Sequence, residues 1–172
     1  MSDDAVLRQA TEADVPTLLE LIRGIAEYER LSHEVETTEA LLRTHGFGRR
    51  PVFEAVIAER GGRPVGFALY YFTFSTFKAR PTLYLEDLFV RPEERGRGLG
   101  RRLLARLARI AVERECGRME WSVLDWNTPA REFYFRLGAV AMDEWTVFRM
   151  TPDAFRRLGA EDTGAGPPDE AV

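Results

Sequence analysis

TLYLEDLFV (82–90), RPEERGRGLG (91–100) and RRLLARLARIAVERE (101–115) follow one another without a break, and how they are read decides the fold. The first block is rich in strand formers, with Leu83, Leu85 and Phe89 expected on one side and Tyr84, Leu88 and Val90 on the other. From Leu99 onward, Leu103, Leu104, Leu107, Ile110 and Ala111 form one stripe at helical period. Between strand and helix, Arg95-Gly96-Arg97-Gly98-Leu99-Gly100 leaves backbone N–H groups unpaired at a helix N-terminus. Unpaired amides and the positive end of the helix dipole both favour negative charge, so this turn is suited to an anion. Its spacing excludes two phosphate loops. There is no lysine for G-x-x-x-x-G-K-[ST], and the glycines do not fit G-x-G-x-x-G. The turn does fit R/Q-x-x-G-x-G/A, in which glycines admit a pyrophosphate to the backbone and flanking arginines add charge-assisted contacts.

Outward from that element, 172 residues with 45% hydrophobic and 30% charged composition suit one domain with a single core. Residues 1–158 are expected to form it. Residues 159–172 (GAEDTGAGPPDEAV) are small, acidic and proline-bearing, the composition of a disordered tail. No apolar run reaches the length of a membrane span, and MSDDAVLRQA has neither the basic start nor the apolar stretch of a signal peptide. A cytoplasmic protein without membrane partners is the expectation. One cysteine, Cys116, permits no intramolecular disulfide, and with only two histidines no metal site is expected. A net charge of −4 argues against nucleic acid as a partner. Yet residues 91–109 carry seven arginines against Glu93 and Glu94, a basic patch on an acidic protein. Charge alone suits a solvated helix face as well as a polyanion; the adjoining glycine turn favours the polyanion.

In chain order, Val6 to Gln9 reads as a strand, and Thr11 with Asp14 opens a helix carrying Leu18, Leu19, Ile22, Ile25 and Ala26 to near Glu29. A shorter helix starts at Thr37 or Thr38 and stops at Gly46 and Gly48. Phe53–Glu59 and Val65–Phe74 form a hairpin around Gly61-Gly62. After the opening element, Arg118 to Leu124 is a further strand, and Asn127 caps a helix that Gly138 closes. Ala139 to Met150 is expected as a final strand pair broken near Asp143-Glu144, and Thr151 to Leu158 as a terminal helix. The order predicts an α+β (mixed α/β) domain around a central, mostly antiparallel sheet flanked by helices.

Arg95 to Gly100 resembles the pyrophosphate loop of the GNAT acetyltransferases. The resemblance continues in HGFG (45–48), VGFALYYFTFSTFKAR (65–80), LYLEDLFV (83–90), VLDWN (123–127) and FYFRLGA (133–139). These segments look like the diamine acetyltransferase branch of spermidine/spermine and thialysine enzymes, with STFKAR and VLDWN closer to the thialysine members. The resemblance implies a GNAT-like fold, acetyl-CoA as co-substrate without a metal, a homodimer, and transfer of acetyl to a primary amine of a small cationic substrate. A lysine- or thialysine-like amino acid, a diamine and a polyamine all answer that description. Attack would be direct, in a ternary complex.

Such transfer needs a held thioester, a deprotonated amine and a proton for the departing thiolate; an alkylamine of pKa near ~10.4 is no nucleophile until it loses a proton. Glu86 and Asp87 interrupt an apolar strand, where a charge is costly unless used or paired, and strict alternation would turn them to opposite faces. By resemblance Glu86 is the base, directly or through water, and Asp87 binds the cation; a structural pair at a strand end is the other reading. Tyr134 takes the place of the family's general acid, although on periodicity alone it would be core packing beside Phe133 and Leu137. The backbone of Leu88, Phe89 and Val90 would pair with the pantetheine arm as an added strand would. Arg95, Gly96, Arg97, Gly98, Leu99, Gly100 and Arg101 would hold the pyrophosphate. Asn127, Thr128, Pro129 and Ala130 would meet the cofactor as well, though Asn127 is also simply a good N-cap. Tyr28, Glu29 and Glu144 match the family's acceptor contacts, while Ser75 stands where the polyamine enzymes have an acid. Two other functions stay open: acetylation of a protein or peptide amine, and a non-catalytic acyl-CoA-binding regulator.

Overall fold

In the computed structural model, which describes residues 5–162, the sheet is built around β4, Arg80–Val90. Antiparallel ladders join β1 (Val6–Gln9) to β2 (Glu54–Arg60), β2 to β3 (Arg63–Ser75), and β3 to β4. A parallel ladder joins β4 to β5 (Arg118–Trp121), giving the order β1-β2-β3-β4-β5. The β2–β3 turn falls on Gly61 (φ 57°) and Gly62 (φ 77°), a left-handed pair that glycine adopts without cost. The parallel ladder requires a crossover, supplied by α3 (Leu99–Glu113). This is the mixed, mostly antiparallel sheet that the element order predicts.

The chain divides into two units, one ending at Ser122 and the other starting at Val123. In the first, a 3-10 turn at Glu12–Asp14 leads into α1 (Val15–Tyr28). The buried Asp14 carboxylate accepts from Thr11 N (2.8 Å) and from both terminal nitrogens of Arg8 (2.8 and 2.7 Å), which hold its pKa down to about 2. α2 (Glu39–Leu42) is capped by Thr38 and runs into a single π-helical turn, Arg43–Phe47. Val15, Leu18, Leu19 and Leu21 of α1 pack with Ala55, Ile57, Phe67, Leu69 and Phe89 in one buried cluster. The alternating residues Val56, Ala58, Ala68 and Tyr70 are buried too, so both faces of the sheet are covered, and α3 lies against β2, β3 and β4.

One irregularity sets the geometry of the site. Leu69 lies opposite Asp87 but Tyr70 lies opposite Leu85, so Glu86 is an extra residue in β4 and forms a β-bulge. A one-residue insertion reverses which side chains face which layer. Leu83 and Leu85, opposite Phe72 and Tyr70, face the α3 side. Phe89, opposite Phe67, faces α1. The even alternation expected for Leu83, Leu85 and Phe89 is therefore corrected. β5 pairs with β4 only from Thr82 to Leu85 and stops where the bulge begins.

In the second unit, Asn127 caps α4 (Thr128–Arg136) by accepting from Ala130 N at 3.4 Å, and Gly138 (φ 89°) ends it. Thr151 caps α5 (Pro152–Gly159). The strand pair expected over 139–150 is absent. An isolated two-stranded pair is marginal by itself, and among its described residues this unit holds two helices and no further strand to extend it. The segment is exposed, with Val147 at 84% and Phe148 at 91%. The strand expected to reach Leu124 likewise ends at Trp121. Of the expected tail, 159–162 are described and 163–172 lie outside the described residues. No helix among the described residues is long and apolar enough to cross a membrane.

Candidate active site

The glycine-rich turn is a left-handed cradle fixed from outside. Gly96 (φ 75°) and Gly98 (φ 76°) both have positive φ, and nothing lies within 4 Å of where a Cβ would stand on either. Gly98 is the N-cap of α3, so the first amides of that helix open onto this free space. The residues just before it are tied to other elements. Buried Glu94 accepts from Arg60 Nε of β2 at 3.0 Å and from Arg97 Nη1 at 3.5 Å. Glu93 pairs with Arg63 at 2.8 Å. Arg91 donates to Pro64 O at 2.9 Å and to Glu20 of α1 at 2.6 Å. Sequence patterns do not foretell these partners, because Arg60 lies 34 residues from Glu94 and only the register of the β2–β3 hairpin brings them together. Arg97 and Arg101 are exposed beside the cradle, whereas Arg102 is drawn to Ala5 O at 2.6 Å. The Arg95 side chain lies across Val90 and Tyr28. Its Nε donates to Val90 O at 2.9 Å, and its Cζ is 4.6 Å from the centroid of the Tyr28 ring.

Four residues before the end of β4 that leads to the cradle, the bulge at Glu86 brings two carboxylates to one side. Asp87 shares the face of Leu69, the α1 side. Glu86 accepts from the Tyr71 hydroxyl at 3.2 Å, and Tyr71, two residues from Leu69 along β3, shares that face. The expectation that Glu86 and Asp87 face opposite sides is thus corrected: alternation fails at a bulge. Tyr71 stacks on Tyr84 with centroids 5.1 Å apart, and the Tyr84 hydroxyl meets Ser122 Oγ at 3.0 Å. Loss of solvent first, and then the charges of Glu86 and Glu29, together push the Asp87 carboxyl up to about 7. Glu29, the C-cap of α1, is itself raised by burial. Burial, and then the Glu86 charge, push the Tyr71 phenol to about 12, so it remains a hydrogen-bond donor at neutral pH. Three carboxylates whose charges repel one another favour a cation among them. Glu29 therefore lies within electrostatic reach of Asp87 together with Glu86, and Tyr28 precedes it at the end of α1.

The remaining candidates belong to the second unit. Asn127 is buried and serves as the cap of α4, followed by Thr128, Pro129 and Ala130 in its first turn. Tyr134 is half-buried on α4 with its ring centroid 5.4 Å from that of Phe133. Glu144 is exposed in a turn in which Trp145 N donates to Met142 O at 3.1 Å.

One strand–turn–helix unit thus carries a bulge where the β4–β5 ladder ends and a left-handed glycine cradle at the start of α3. The acetyltransferase (GNAT) family model matches residues 16–139, and the chain belongs to that family. It is 40% identical to the thialysine N-epsilon-acetyltransferase of Bos taurus over 167 residues, covering 91% of this chain and 98% of that one. It is 31% identical to an L-ornithine N5-acetyltransferase of Arabidopsis thaliana, covering 88% of this chain and 86% of the other. Among solved structures, an integron cassette protein of V. cholerae shares the fold with a TM-score of 0.76 at 24% identity, over 90% of this chain and 97% of that one. The chain is an N-acetyltransferase and matches the diamine acetyltransferase branch.

Proposed function

We propose that the chain transfers acetyl from acetyl-CoA to the terminal primary amine of a small cationic substrate, by direct attack in a ternary complex. The observation that carries this proposal is the bulge at Glu86. It gathers Glu86 and Asp87 beside Glu29 at the point where β5 leaves β4, and the β4 edge leads from there straight to the glycine cradle. One strand thus links a cation site to an anion site.

Acetyl-CoA supplies an activated thioester. The amides of Arg95 to Gly100 and the side chains of Arg97 and Arg101 hold its pyrophosphate, where the open space at Gly96 and Gly98 suits it. The backbone of Leu88, Phe89 and Val90, unpaired by β5, binds the pantetheine arm. Asn127, Thr128, Pro129 and Ala130 meet the cofactor from α4. Tyr28, Glu29 and Asp87 hold the ammonium ion of the acceptor. Glu86 first takes one proton from the ammonium ion, directly or through water, which frees the nitrogen lone pair; as that nitrogen bonds to the acetyl carbon, its second proton passes to water. The C–S bond breaks with its electron pair on sulfur, and the Tyr134 phenol protonates that thiolate. Residues 1–158 act as one catalytic domain, in a cytoplasmic homodimer.

The test is thiol release from acetyl-CoA in the presence of thialysine, lysine, ornithine, spermidine or putrescine. At least one amine is expected to be acetylated at its terminal nitrogen. Acetyl-CoA binding without thiol release by any of them would defeat the proposal.

A further inference from the structure

Arg95 is the first residue of the glycine turn, yet its guanidinium is held on the acceptor side. Its Cζ lies 4.6 Å from the centroid of the Tyr28 ring and 5.8 Å from that of Phe89. Tyr28 ends α1 beside Glu29, and Phe89 lies two residues beyond Asp87 on the same face of β4. The stack and the Nε bond to Val90 O fix the plane of the group. Nη1 and Nη2 make no hydrogen bond within the protein among the described residues, so an exposed edge with paired donors is left over. Such an edge matches a carboxylate.

The spacing suits one molecule with two charges. Asp87 and Phe89 are about 7 Å apart along the strand, close to the reach of a lysine-like side chain. At the Asp87 end, carboxylates attract a terminal ammonium; at the Phe89 end, Arg95 offers a cation. A diamine or polyamine would set an ammonium or a bare methylene against that guanidinium. An ω-amino acid would complement both ends.

Resting on the acetyltransferase function proposed above, we infer that Arg95 is a specificity-determining residue of the acceptor site, pairing with a carboxylate on the acceptor and selecting amino acids over diamines. Lysine and cadaverine (1,5-diaminopentane) test this, since they differ only by that carboxylate. Wild type is expected to favour lysine in kcat/KM. In Arg95→Gln the lysine-to-cadaverine ratio should fall ~10- to 100-fold, the worth of a charged bidentate pair, with partial recovery in Arg95→Lys. Titration calorimetry of both ligands into the CoA complex reads the same ratio from binding alone. The carboxylate role can thus stand or fall even if no amine turns over, an outcome that would sink the catalytic proposal separately. A ratio unchanged by Arg95→Gln, or a loss expressed as a raised KM for acetyl-CoA with equal effect on both acceptors, would overturn the inference. The second result would assign the side chain to the pyrophosphate.

Discussion

The Tyr71 hydroxyl donates to Glu86 Oε2 across the β3–β4 ladder at 3.2 Å, and Glu86 is the residue by which β4 exceeds β3. The bond orients a side chain that the regular pleat would have sent elsewhere. In Tyr71→Phe the stack on Tyr84 is retained and only the donor is lost. Loss of one hydrogen bond to a charged group is worth about 1.5 kcal/mol or somewhat more, so kcat is expected to fall ~10-fold with acetyl-CoA affinity unchanged. Steady-state kinetics on both substrates check this; an unaltered kcat would show that Glu86 needs no orienting partner.

Asp87 makes the site pH-dependent in a definite direction. Its carboxyl titrates near 7 in the fold, against the ordinary range near 4 in the unfolded chain. Between those values the folded state binds the extra proton, so stability falls as pH rises from about 4 to about 7 and stays lower above it. Binding of a cation runs the other way and strengthens as Asp87 ionises through about 7. Asp87→Asn should therefore be more stable than wild type at pH 8, nearly equal to it at pH 4, and weaker for amines at both ends of the range above 7. Urea unfolding at the two pH values, with acceptor KM alongside, tests the pair; equal pH dependence in both proteins would remove Asp87 as its source.

Gly98 separates strain from charge at the cradle. Its φ of 76° penalises any side chain, yet the space around it is open, so Gly98→Ala should cost about 1 kcal/mol through backbone conformation alone. Asp enters the left-handed region more readily than Ala, so Gly98→Asp should fold at least as well. It would, however, set a negative charge at the N-terminus of α3, where the pyrophosphate is proposed to sit. Acetyl-CoA affinity is expected to fall more than ~100-fold in Gly98→Asp and only a few-fold in Gly98→Ala, as measured by calorimetry. Similar losses in the two would assign the defect to geometry and not to charge.

What the sequence made legible followed local periodicity. β1, the Gly61-Gly62 hairpin, α1 and the strand–cradle–helix unit announce themselves through alternation, turn glycines and an apolar stripe, and they stand where expected. The bulge does not, because LEDLFV is compatible with either face until β3 fixes its register through Leu69 and Tyr70. Nor does the direction of Arg95: the motif marks it for phosphate, while its side chain follows the aromatic face that α1 brings to Phe89. The strand pair expected over 139–150 misled for a third reason, since residue type supplies strand propensity but no further strand to steady a lone pair.

Tyr134 is the proton donor that the family resemblance implies, and the chemistry distinguishes that role from the packing its periodicity suggests. Tyr134→Phe keeps the ring beside Phe133 and removes only the hydroxyl. As a general acid its loss should lower kcat ~100-fold or more with little change in acetyl-CoA affinity and in the unfolding midpoint. Kinetics with thermal unfolding check this; turnover within twofold of wild type would leave Tyr134 a packing residue.

Glu94 tests whether the cradle must be held to work. Its carboxylate bridges Arg60 of β2 and Arg97 of the turn, with only 12% of the side chain exposed. Glu94→Gln keeps the shape and one acceptor oxygen but removes the charge, leaving two arginines to repel across the gap. Stability should fall by roughly 1–3 kcal/mol, and the KM for acetyl-CoA should rise as Arg97 loses its tether, with the acceptor KM unmoved. Arg60→Met in the same background decides the cause. If Glu94 matters through Arg60, the double variant should be no worse than Glu94→Gln alone in unfolding experiments. Additive losses would mean that each arm of the bridge supports the turn independently, and that Arg97 is held by Glu94 without help from β2.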